Sequence, residues 1–571
     1  MSFSNIGELL RARVSEYDHK PFLFSEADGR EWTYAEFESA VNRTANLLAL
    51  NGIAKGDVVS LLLPNSAEYI VAYFACWKIG AIAGPVNSLL KPEEVEWIVG
   101  NSESKLLLTG AEASPFAISA ENALPPTVDF TNLDSATAGF PYTFPDTVLD
   151  TDDEAIIIYT SGTTGKPKGC LLTHGNLLAN AEQIAGWMGF GPDDRLLTIM
   201  PLFHMNAVTV TTMTALFCGG STVVSPKFSA SKFWEIIDKY KITSFGSVAT
   251  MLSMLLTKAK PPASAGGKDA TTRQDAPPYE GGEDAASADG VVRPLTTDHR
   301  PLTTSLRFAM CGSAPVPAEV LRKFEQTFGV LVIEGYGLSE STCRSTFNPP
   351  NETRRPGSCG QPIGNEMKVF DENDEEVEDG ELGEIVLRGP NILKGYFKNP
   401  EATEKAFANG WFHTGDIGYR DADGFFYIAD RKSDMIIRGG ENIYPREIDD
   451  ILYTHPAVAH AAVIGVPDEL YGEEVAAFIV LKDGCEAAAC AETRPSRSVA
   501  DIVHKPAREQ GRYQDPTTQV TPDDIIAFCK LHLADYKCPK TVHFVADIPK
   551  GPTGKLLKRE LAKLLSSKSP R

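Results

Sequence analysis

An eleven-residue segment rich in glycine, hydroxyl groups and lysine constrains the folding of this chain most: Tyr159-Thr-Ser-Gly-Thr-Thr-Gly-Lys-Pro-Lys-Gly169. It follows Glu154-Ala-Ile-Ile-Ile-Tyr-Thr160, a short apolar, β-branched run that is typical of a buried strand. Its glycines let the backbone turn tightly and bring N–H groups against an anion, and its lysines add positive charge. The segment predicts a strand that ends in a phosphate-binding loop, whose binding residues are Thr160, Ser161, Gly162, Thr163, Thr164, Gly165, Lys166 and Lys168.

Two other interpretations of this loop are weaker. It is not a Walker A motif, because Pro167 follows Gly165-Lys166 where that motif has serine or threonine. A flexible surface loop is the second alternative. Two lysines and five hydroxyl groups directly behind a buried strand argue against it.

Length and composition limit the remaining classes of function. With 571 residues the chain is too long for one core, and we expect at least two domains. The formal net charge of -22 argues against nucleic acid as a partner, because a phosphate backbone requires a basic face. The ten scattered cysteines fit a reduced protein, and we see no signal peptide and no apolar run that could span a bilayer. We therefore expect a cytoplasmic protein without a transmembrane segment.

Strand and helix patterns alternate through the first three quarters of the chain. The predicted strands are 196–200, 221–225, 307–311 and 330–333, and the predicted helices are 205–218, 233–237 and 317–328. Such alternation is typical of α/β proteins, in which helices cover parallel sheets and ligands bind at the carboxyl ends of the strands.

The last part of the chain predicts a compact α+β module. Its predicted elements are helix 445–453, strands 459–466 and 475–481, helix 523–533 and strand 541–545. The charged stretch Asp430-Arg-Lys-Ser-Asp434 is the predicted linker, which divides the chain into domains 1–430 and 431–571. Segments 258–304 and 484–521 have almost no apolar periodicity, and we expect them to be exposed, mobile insertions without an assigned function.

Further motifs follow the loop in order along the chain. They are Arg307-Phe-Ala-Met-Cys-Gly-Ser-Ala-Pro315, Gly335-Tyr-Gly-Leu-Ser-Glu340, Trp411-Phe-His-Thr-Gly-Asp416, Asp430-Arg431, Gly439-Gly-Glu-Asn-Ile-Tyr-Pro-Arg446 and Pro552-Thr-Gly-Lys555. Together with the loop they resemble the motifs of the adenylate-forming superfamily, which contains acyl-CoA synthetases, nonribosomal-peptide adenylation domains and firefly-type luciferases. The resemblance implies an α/β fold: a large N-terminal domain of parallel-rich sheets covered by helices, with a small distorted β-barrel subdomain, and a small mobile α+β C-terminal domain.

The resemblance also implies which groups bind ATP and magnesium. Asp416 is expected to accept the ribose hydroxyls, with Arg431 assisting, and Ser339 to contact the α-phosphate. Glu340 is expected to bind Mg²⁺, which prefers hard oxygen ligands. The adenine slot resembles that of the family at Gly312, Ser313, Ala314, Pro315, Gly335, Tyr336 and Gly337.

Five further positions are singled out by the resemblance. Lys555 is expected to reach the α-phosphate and the acid carboxylate on domain closure and to catalyse adenylation; locally it could equally be a lysine at a basic helix start. His204 is expected to flank the acyl site and the thiol tunnel, and Gly439 and Gly440 to admit the pantetheine arm of coenzyme A. Ser433 stands at the hinge, where relatives usually have lysine or aspartate.

The acid pocket is the least defined part. We expect Phe245, Val248, Met310 and Cys311 to line it, and Arg344 to face solvent in preference to a charged tail of the acid. The closest similarity is to carnitine-CoA ligase-like and medium- or long-chain acyl-CoA synthetases.

These expectations describe an ATP-dependent acid–thiol ligase that converts a carboxylic acid, fatty or related, through acyl-AMP to acyl-CoA. The implied cofactors are ATP, Mg²⁺ and coenzyme A as co-substrate. One alternative is an adenylating enzyme that loads a free-standing carrier protein, and another is a catalytically silent nucleotide-binding protein. A homodimer is left open.

Overall fold

The computed structural model describes residues 3–110, 124–160, 167–258, 305–312, 318–468, 470–482, 484–487, 518–550 and 557–566. Residues 259–304 and 488–517, which make up most of the two predicted insertions, lie outside these ranges. So do these predicted site residues: Ser161, Gly162, Thr163, Thr164, Gly165, Lys166, Ser313, Ala314, Pro315 and Lys555.

The described part of the chain contains helices of very different length. In chain order they are α1 (Ile6–Tyr17), α2 (Tyr34–Leu50), α3 (Ala67–Ile79), α4 (Pro92–Asn101), α5 (Leu133–Ala136), α6 (His174–Met188), a π-helix (Asn206–Met213), α7 (Thr214–Phe217), α8 (Phe233–Tyr240), α9 (Ala249–Lys258), α10 (Ala318–Phe328), α11 (Pro400–Ala406), α12 (Pro445–Thr454), α13 (Pro522–Lys530) and α14 (Lys558–Ser566), with 3₁₀ turns at Ser339–Ser341 and Asp535–Lys537. None of these described helices combines the length and the hydropathy that a bilayer-spanning helix needs.

The described strands are mostly short. In chain order they are β1 (Pro21–Ser25), β2 (Glu31–Thr33), β3 (Val58–Leu62), β4 (Ile82–Pro85), β5 (Leu106–Thr109), β6 (Thr127–Asp129), β7 (Glu154–Thr160), β8 (Lys168–Thr173), β9 (Arg195–Thr198), β10 (Ser221–Val224), β11 (Ser244–Ser247), β12 (Phe308–Cys311), β13 (Leu331–Tyr336), β14 (Thr346–Phe347), β15 (Gln361–Pro362), β16 (Glu366–Phe370), β17 (Gly383–Arg388), β18 (Gly395–Tyr396), β19 (Phe407–Ala408), β20 (Trp411–Arg420), β21 (Phe426–Arg431), β22 (Ile436–Arg438), β23 (Glu441–Ile443), β24 (Val458–Asp468), β25 (Gly472–Leu481), β26 (Cys485–Ala487), β27 (Thr518–Val520) and β28 (Thr541–Phe544).

Two large sheets of mostly parallel strands form the body of the protein. The first has the order β15-β14-β13-β12-β11-β9-β10-β1-β2, and its pairs from β13 to β1 are parallel. The second has the order β18-β8-β7-β4-β3-β5-β6, in which β7, β4, β3, β5 and β6 are parallel and β8 and β18 add an antiparallel edge. The expected α/β architecture of parallel-rich sheets is confirmed.

Helix α3 shows how the sequence builds the layer between these sheets. Eleven of its thirteen residues are apolar and the helix is buried along its whole length, and it contacts β1 of one sheet and β3 and β4 of the other. Ser66 begins it by accepting a hydrogen bond from the Tyr69 N–H at 3.2 Å, and Gly80 ends it with a φ of 77°. A mostly apolar helix is stable between two apolar surfaces, and its two charged residues, Glu68 and Lys78, lie near its ends and form ion pairs with Arg30 and Asp146.

Smaller sheets follow. Strands β16, β17, β20, β19 and β21 form an antiparallel sheet. The C-terminal domain has the sheet β23-β22-β25-β24 with β28 beside β25, and its core of Ile436, Ile448, Val463, Ile479 and Ile525 belongs to a hydrophobic cluster separate from that of the N-terminal domain.

Two predictions about local structure were wrong in part. The apolar stretch 205–218 is mainly a π-helix, whose wider turns coincide with threonine hydroxyls that donate to backbone carbonyls; Thr212 Oγ1 reaches Ala207 O at 2.8 Å. The segment 484–521 is not exposed and irregular throughout. Its two ends pair as the parallel strands β26 and β27, and Val520 is 4% exposed in the C-terminal core. The remaining predicted strands and helices agree with the described elements to within a few residues.

Candidate active site

The two ends of the predicted phosphate-binding loop are held by paired strands. Thr160 ends β7, Lys168 begins β8, and the two residues are Cα partners. Tyr159 donates a hydrogen bond to Asn101 Oδ1 at 2.7 Å, which fixes the end of β7. The loop therefore begins at the carboxyl end of a strand in a parallel sheet, where the sequence predicts an anion site.

Glu340 lies beside this hairpin. The 3₁₀ turn Ser339–Ser341, which carries Glu340, follows β13. The backbone carbonyl of Glu340 accepts a hydrogen bond from the Leu393 N–H at 2.7 Å. Tyr396 donates to Glu340 Oε1 at 3.2 Å, and Lys168 Nζ lies 5.1 Å from the centroid of the Tyr396 ring. Strand β18 brings Tyr396 there by pairing with Cys170 of β8. Glu340, the predicted magnesium ligand, and Lys168, at the end of the loop, thus both contact Tyr396.

A second cluster joins Tyr336, Asp416 and Arg431. Tyr336 donates to Asp416 Oδ2 at 2.6 Å, and Arg431 Nε lies 3.2 Å from Asp416 Oδ1. Asp416 and Arg431 are Cα partners on β20 and β21, and Asp416 is 4% exposed. Burial raises the pKa of Tyr336 well above its ordinary value, and the nearby charge of Asp416 is the second cause. The phenol therefore remains a hydrogen-bond donor at neutral pH. This arrangement offers a nearly buried carboxylate that is able to accept hydroxyl groups.

The residues predicted for the acid pocket do not all share one face of the sheet. Met310 is the Cα partner of Gly246, and a Cβ atom on Gly246 would collide with the side chain of Asn206 in the π-helix. Phe245 points to the opposite face, where its ring centroid lies 4.9 Å from that of Phe233 in α8. Cys311 has the same parity as Phe245, and Val248 is buried just before α9. Met310 is therefore the one strand residue of this set that faces the π-helix.

Two polar side chains near the start of the π-helix have no hydrogen-bond partner in the described structure. They are His204, through Nε2, and Asn206, through both amide atoms. Burial lowers the pKa of His204 to about 4, so its imidazole is neutral at physiological pH. The sequence did not indicate Asn206, whose only signal is that it is a polar residue inside the apolar helix pattern 205–218.

Arg344 was wrongly expected to face solvent. It is 1% exposed, and its Nε and Nη2 atoms are buried without a hydrogen-bond partner. Asn180 and Asn391 hold the backbone of this residue, and long-range contacts of this kind cannot be read from the local sequence.

Gly439 and Gly440 form the two-residue turn between β22 and β23. Their φ angles are 60° and 92°, values that glycine adopts without strain. The turn geometry alone explains both glycines, and their part in coenzyme A binding stays a prediction.

The predicted hinge carries contacts on both of its sides. Asp430 Oδ2 accepts from the Arg446 N–H at 2.9 Å, and Lys432 Nζ lies 3.2 Å from Glu384 Oε2. Ser433 donates to its neighbour Asp434 at 3.1 Å. The small hydroxyl thus bonds locally, where a longer lysine or aspartate could reach another domain.

Comparison with known proteins shows the family of this chain. Residues 10–397 match the family described as AMP-binding enzyme, and residues 447–518 and 486–555 match its C-terminal domain. The chain is 33% identical to the sulfoacetate–CoA ligase of Cupriavidus necator over 98% of this chain and 97% of the relative. It is 34% identical to the long-chain-fatty-acid–CoA ligase FadD13 of Mycobacterium tuberculosis over 99% and 100% of the two chains.

Solved structures share the fold over the whole length. The ATP-bound MatB of Rhodopseudomonas palustris has a TM-score of 0.79 to this chain at 29% identity, covering 98% of this chain and 99% of that one. The chain belongs to the AMP-binding enzyme family of the adenylate-forming superfamily and is an acid–thiol ligase.

Proposed function

We propose that this acid–thiol ligase joins an organic acid to coenzyme A in two steps. The acid carboxylate attacks the α-phosphate of ATP, forms acyl-AMP and releases pyrophosphate; the thiol of coenzyme A then attacks the acyl carbonyl and releases AMP. The two relatives named above are ligases of a small sulfonated acid and of long-chain fatty acids, so family membership does not restrict the acid to fatty acids. Both are named for CoA, which favours this acceptor over a carrier protein.

The proposed nucleotide site uses both clusters. Asp416, 4% exposed, accepts the ribose hydroxyls, and the Arg431 guanidinium and the Tyr336 hydroxyl hold its carboxylate in place. Gly312, Gly335 and Gly337 pack so closely against other protein atoms that a Cβ atom on any of them would lie 2.0 to 2.6 Å from a neighbour. We propose that this close packing forms a wall of the adenine slot, with Ser339 following at the α-phosphate. Attack of one anion on another requires positioning and charge neutralisation more than covalent help from the protein.

The surroundings of Glu340 fit Mg²⁺. A single carboxylate, oriented by the Tyr396 hydroxyl at 3.2 Å, suits a cation that keeps several waters and binds mainly to phosphate oxygens. Bound Mg²⁺ would neutralise phosphate charge. Lys168, at the end of the loop, adds a fixed positive charge on the same side.

We also propose roles for residues outside the nucleotide site, in adenylation and in thioester formation. Lys555 neutralises the charge that develops during adenylation, His204 flanks the acid and thiol as a neutral imidazole, and Gly439 and Gly440 admit the pantetheine arm. The division into domains 1–430 and 431–571 is supported by hydrophobic clusters that end at Phe426 and begin at Ile436. The nine described cysteines are all free thiols, which supports a reducing, cytoplasmic location.

One observation carries the proposal: Tyr336 at the end of β13 donates to the nearly buried Asp416, and the 3₁₀ turn after β13 carries Glu340, which Tyr396 orients beside the loop hairpin. The test is pyrophosphate exchange with a panel of acids, followed by AMP release with and without free coenzyme A. Acid-dependent exchange and CoA-dependent AMP release support the proposal. Exchange without CoA-dependent release would favour a carrier protein as acceptor.

The variant Lys555→Ala separates the two steps. It should lose adenylate formation by about 100-fold or more, because one charge at the transition state is removed. Thioester formation from preformed acyl-AMP should persist. Equal loss of both steps would remove Lys555 from the proposed role.

A further inference from the structure

Arg344 is a buried cation for which the described part of the chain supplies no counter-charge. Its side chain is 1% exposed, and its Nε and Nη2 atoms lack hydrogen-bond partners. None of the described carboxylates forms an ion pair with it, and its aromatic contact is Phe347, whose ring centroid lies 5.4 Å from the guanidinium carbon. An unpaired buried charge is strongly unfavourable, so an arginine in this state is expected to meet an anion from a ligand.

Glu334, a buried carboxyl on β13, does not neutralise this charge. Its oxygens accept from the Gly357 N–H at 3.0 and 3.3 Å, and the cations that act on it are Arg354 and Arg446. Burial raises the pKa of Glu334 to about 8, so it is mostly uncharged at neutral pH.

The backbone of Arg344 is fixed independently of its charge. Asn180 Nδ2 donates to Arg344 O at 2.6 Å, and the Arg344 N–H donates to Asn180 Oδ1 at 3.2 Å. Asn391 Nδ2 donates to the same carbonyl at 3.2 Å. Thr342 has a φ of 65°, a strained value for threonine, and its hydroxyl donates to Asn391 O at 2.6 Å. The chain thus holds the arginine in place before any ligand binds, which is the arrangement of a recognition site.

The guanidinium lies at the carboxyl ends of two parallel strands. A Cβ atom on Gly312 would lie 2.6 Å from Arg344 Nη1 and 2.6 Å from Gly335 O, so only glycine leaves room here. Gly312 has the same strand parity as Met310, which faces the π-helix and the unpartnered amide of Asn206. Unpaired polar groups therefore lie on the face of the sheet where the acid is expected.

We propose that Arg344 binds a second anionic group of the acid substrate. The enzyme then selects short acids that carry a carboxylate or sulfonate in addition to the carboxylate that is adenylated. The acid is short because the guanidinium lies against Gly312, which borders the proposed nucleotide site. A guanidinium suits such a group because its planar donors bind two oxygens at once. This inference rests on the proposed function.

A different anion, a phosphate of ATP, is the competing ligand of Arg344. Binding of the acid and binding of ATP by Arg344 predict different kinetic effects when the arginine is replaced. An arginine that binds the acid sets the preference among acids and leaves the KM for ATP unchanged, whereas an arginine that binds ATP does the reverse.

The first experiment measures pyrophosphate exchange by the full-length wild-type chain with matched pairs of acids. The pairs are malonate and malonamate, succinate and succinamate, and sulfoacetate and methylsulfonylacetate, with octanoate as an apolar acid. In each pair the second anion is replaced by a neutral group of similar shape. For at least one pair we expect kcat/KM to be about 100-fold higher for the dianion, because a charged hydrogen-bonded pair is lost in the neutral twin.

The second experiment repeats the best pair with Arg344→Met. The preference for the dianion should fall to within about threefold of unity, with the KM for ATP changed less than about threefold. Arg354→Met is the matched control, because Arg354 is also largely buried but has its own partner, Glu325 Oε2 at 2.6 Å. It should keep the preference. If Arg344→Met fails to fold, Arg344→Lys should retain at least a tenfold preference, since the charge remains.

The outcomes are distinct. Equal or better exchange with the neutral twins or octanoate overturns this inference and leaves the proposed function intact. An unchanged preference with a raised KM for ATP in Arg344→Met assigns the arginine to the nucleotide and also overturns it. Exchange with no acid at all refutes the proposed function, and this inference with it.

Discussion

Replacing Asp416 by asparagine tests the proposed ribose site most directly. The substitution keeps the size of the side chain but removes its charge. In the structure, Asp416 is 4% exposed, accepts from the Tyr336 hydroxyl at 2.6 Å and lies 3.2 Å from Arg431 Nε. Asparagine can still accept from Tyr336, so the fold should persist.

The expected loss follows from the hydrogen bonds to the ribose hydroxyls. A hydrogen bond to a charged acceptor contributes about 1.5–3 kcal/mol and one to a neutral acceptor about 0.5–1.5 kcal/mol. Two such bonds therefore weaken by about 2–3 kcal/mol in total, which corresponds to a rise in the KM for ATP of about 30- to 150-fold. The ion pair with Arg431 adds little to stability, because the Arg431 side chain is 48% exposed.

The assay is pyrophosphate exchange with ATP, 2′-deoxy-ATP and 3′-deoxy-ATP. Wild-type enzyme should lose activity with each deoxy analogue, and Asp416→Asn should lose much less, because the interaction is already weakened. Asp421→Asn is the matched control: Asp421 lies in the turn between β20 and β21, pairs with Arg355 at 2.5 Å, and its substitution should leave the KM for ATP unchanged. If the deoxy penalty is as large in Asp416→Asn as in wild type, the carboxylate does not bind ribose.

Three further results are expected. Tyr396→Phe removes the 3.2 Å donor to Glu340 and should raise the Mg²⁺ concentration for half-maximal exchange about two- to tenfold; an unchanged Mg²⁺ titration would contradict this. Burial raises the pKa of Glu334 from 4.5 to about 8, so its contribution to stability is fully present below pH 4.5 and is lost as the pH rises through 8. Between pH 6 and 9 the free energy of unfolding of wild type should therefore fall by roughly 3 kcal/mol more than that of Glu334→Gln, as measured by chemical denaturation. Parallel curves of unfolding free energy against pH for the two proteins would refute this. Because burial lowers the pKa of His204 to about 4, wild type and His204→Phe should have pH profiles of thioester formation with the same shape; a limb near pH 6.5 that only wild type shows would count against a neutral imidazole.

Much of the fold could be predicted because its signals are local. The run Glu154–Thr160 is a buried strand with the predicted bounds, since β-branched apolar residues favour strands wherever both faces are covered. Asp416 and Arg431 were singled out by the resemblance, and their meeting as partners on β20 and β21 confirms that they are neighbours.

Contacts over long sequence distances could not be predicted. Tyr396 reaches Glu340 only because the two-residue strand β18 pairs with β8, and a strand that short has no periodicity. Arg344 was expected in solvent because isolated charges usually are, but Asn180 and Asn391 hold it inside. In both cases a hydrogen bond from a distant segment decides where the side chain lies.

The parallel pairing of β26 with β27 limits how the chain between them can be shortened. Cys485 pairs with Thr518 and Ala487 with Val520, so the strands run side by side in the same direction. The exit at Ala487 and the return at Thr518 are therefore about 8 Å apart, two residues along the strand and one strand across. Neighbouring Cα atoms in one chain are only about 3.8 Å apart, so splicing Ala487 directly to Thr518 would pull β27 out of register and draw Val520 from the C-terminal core.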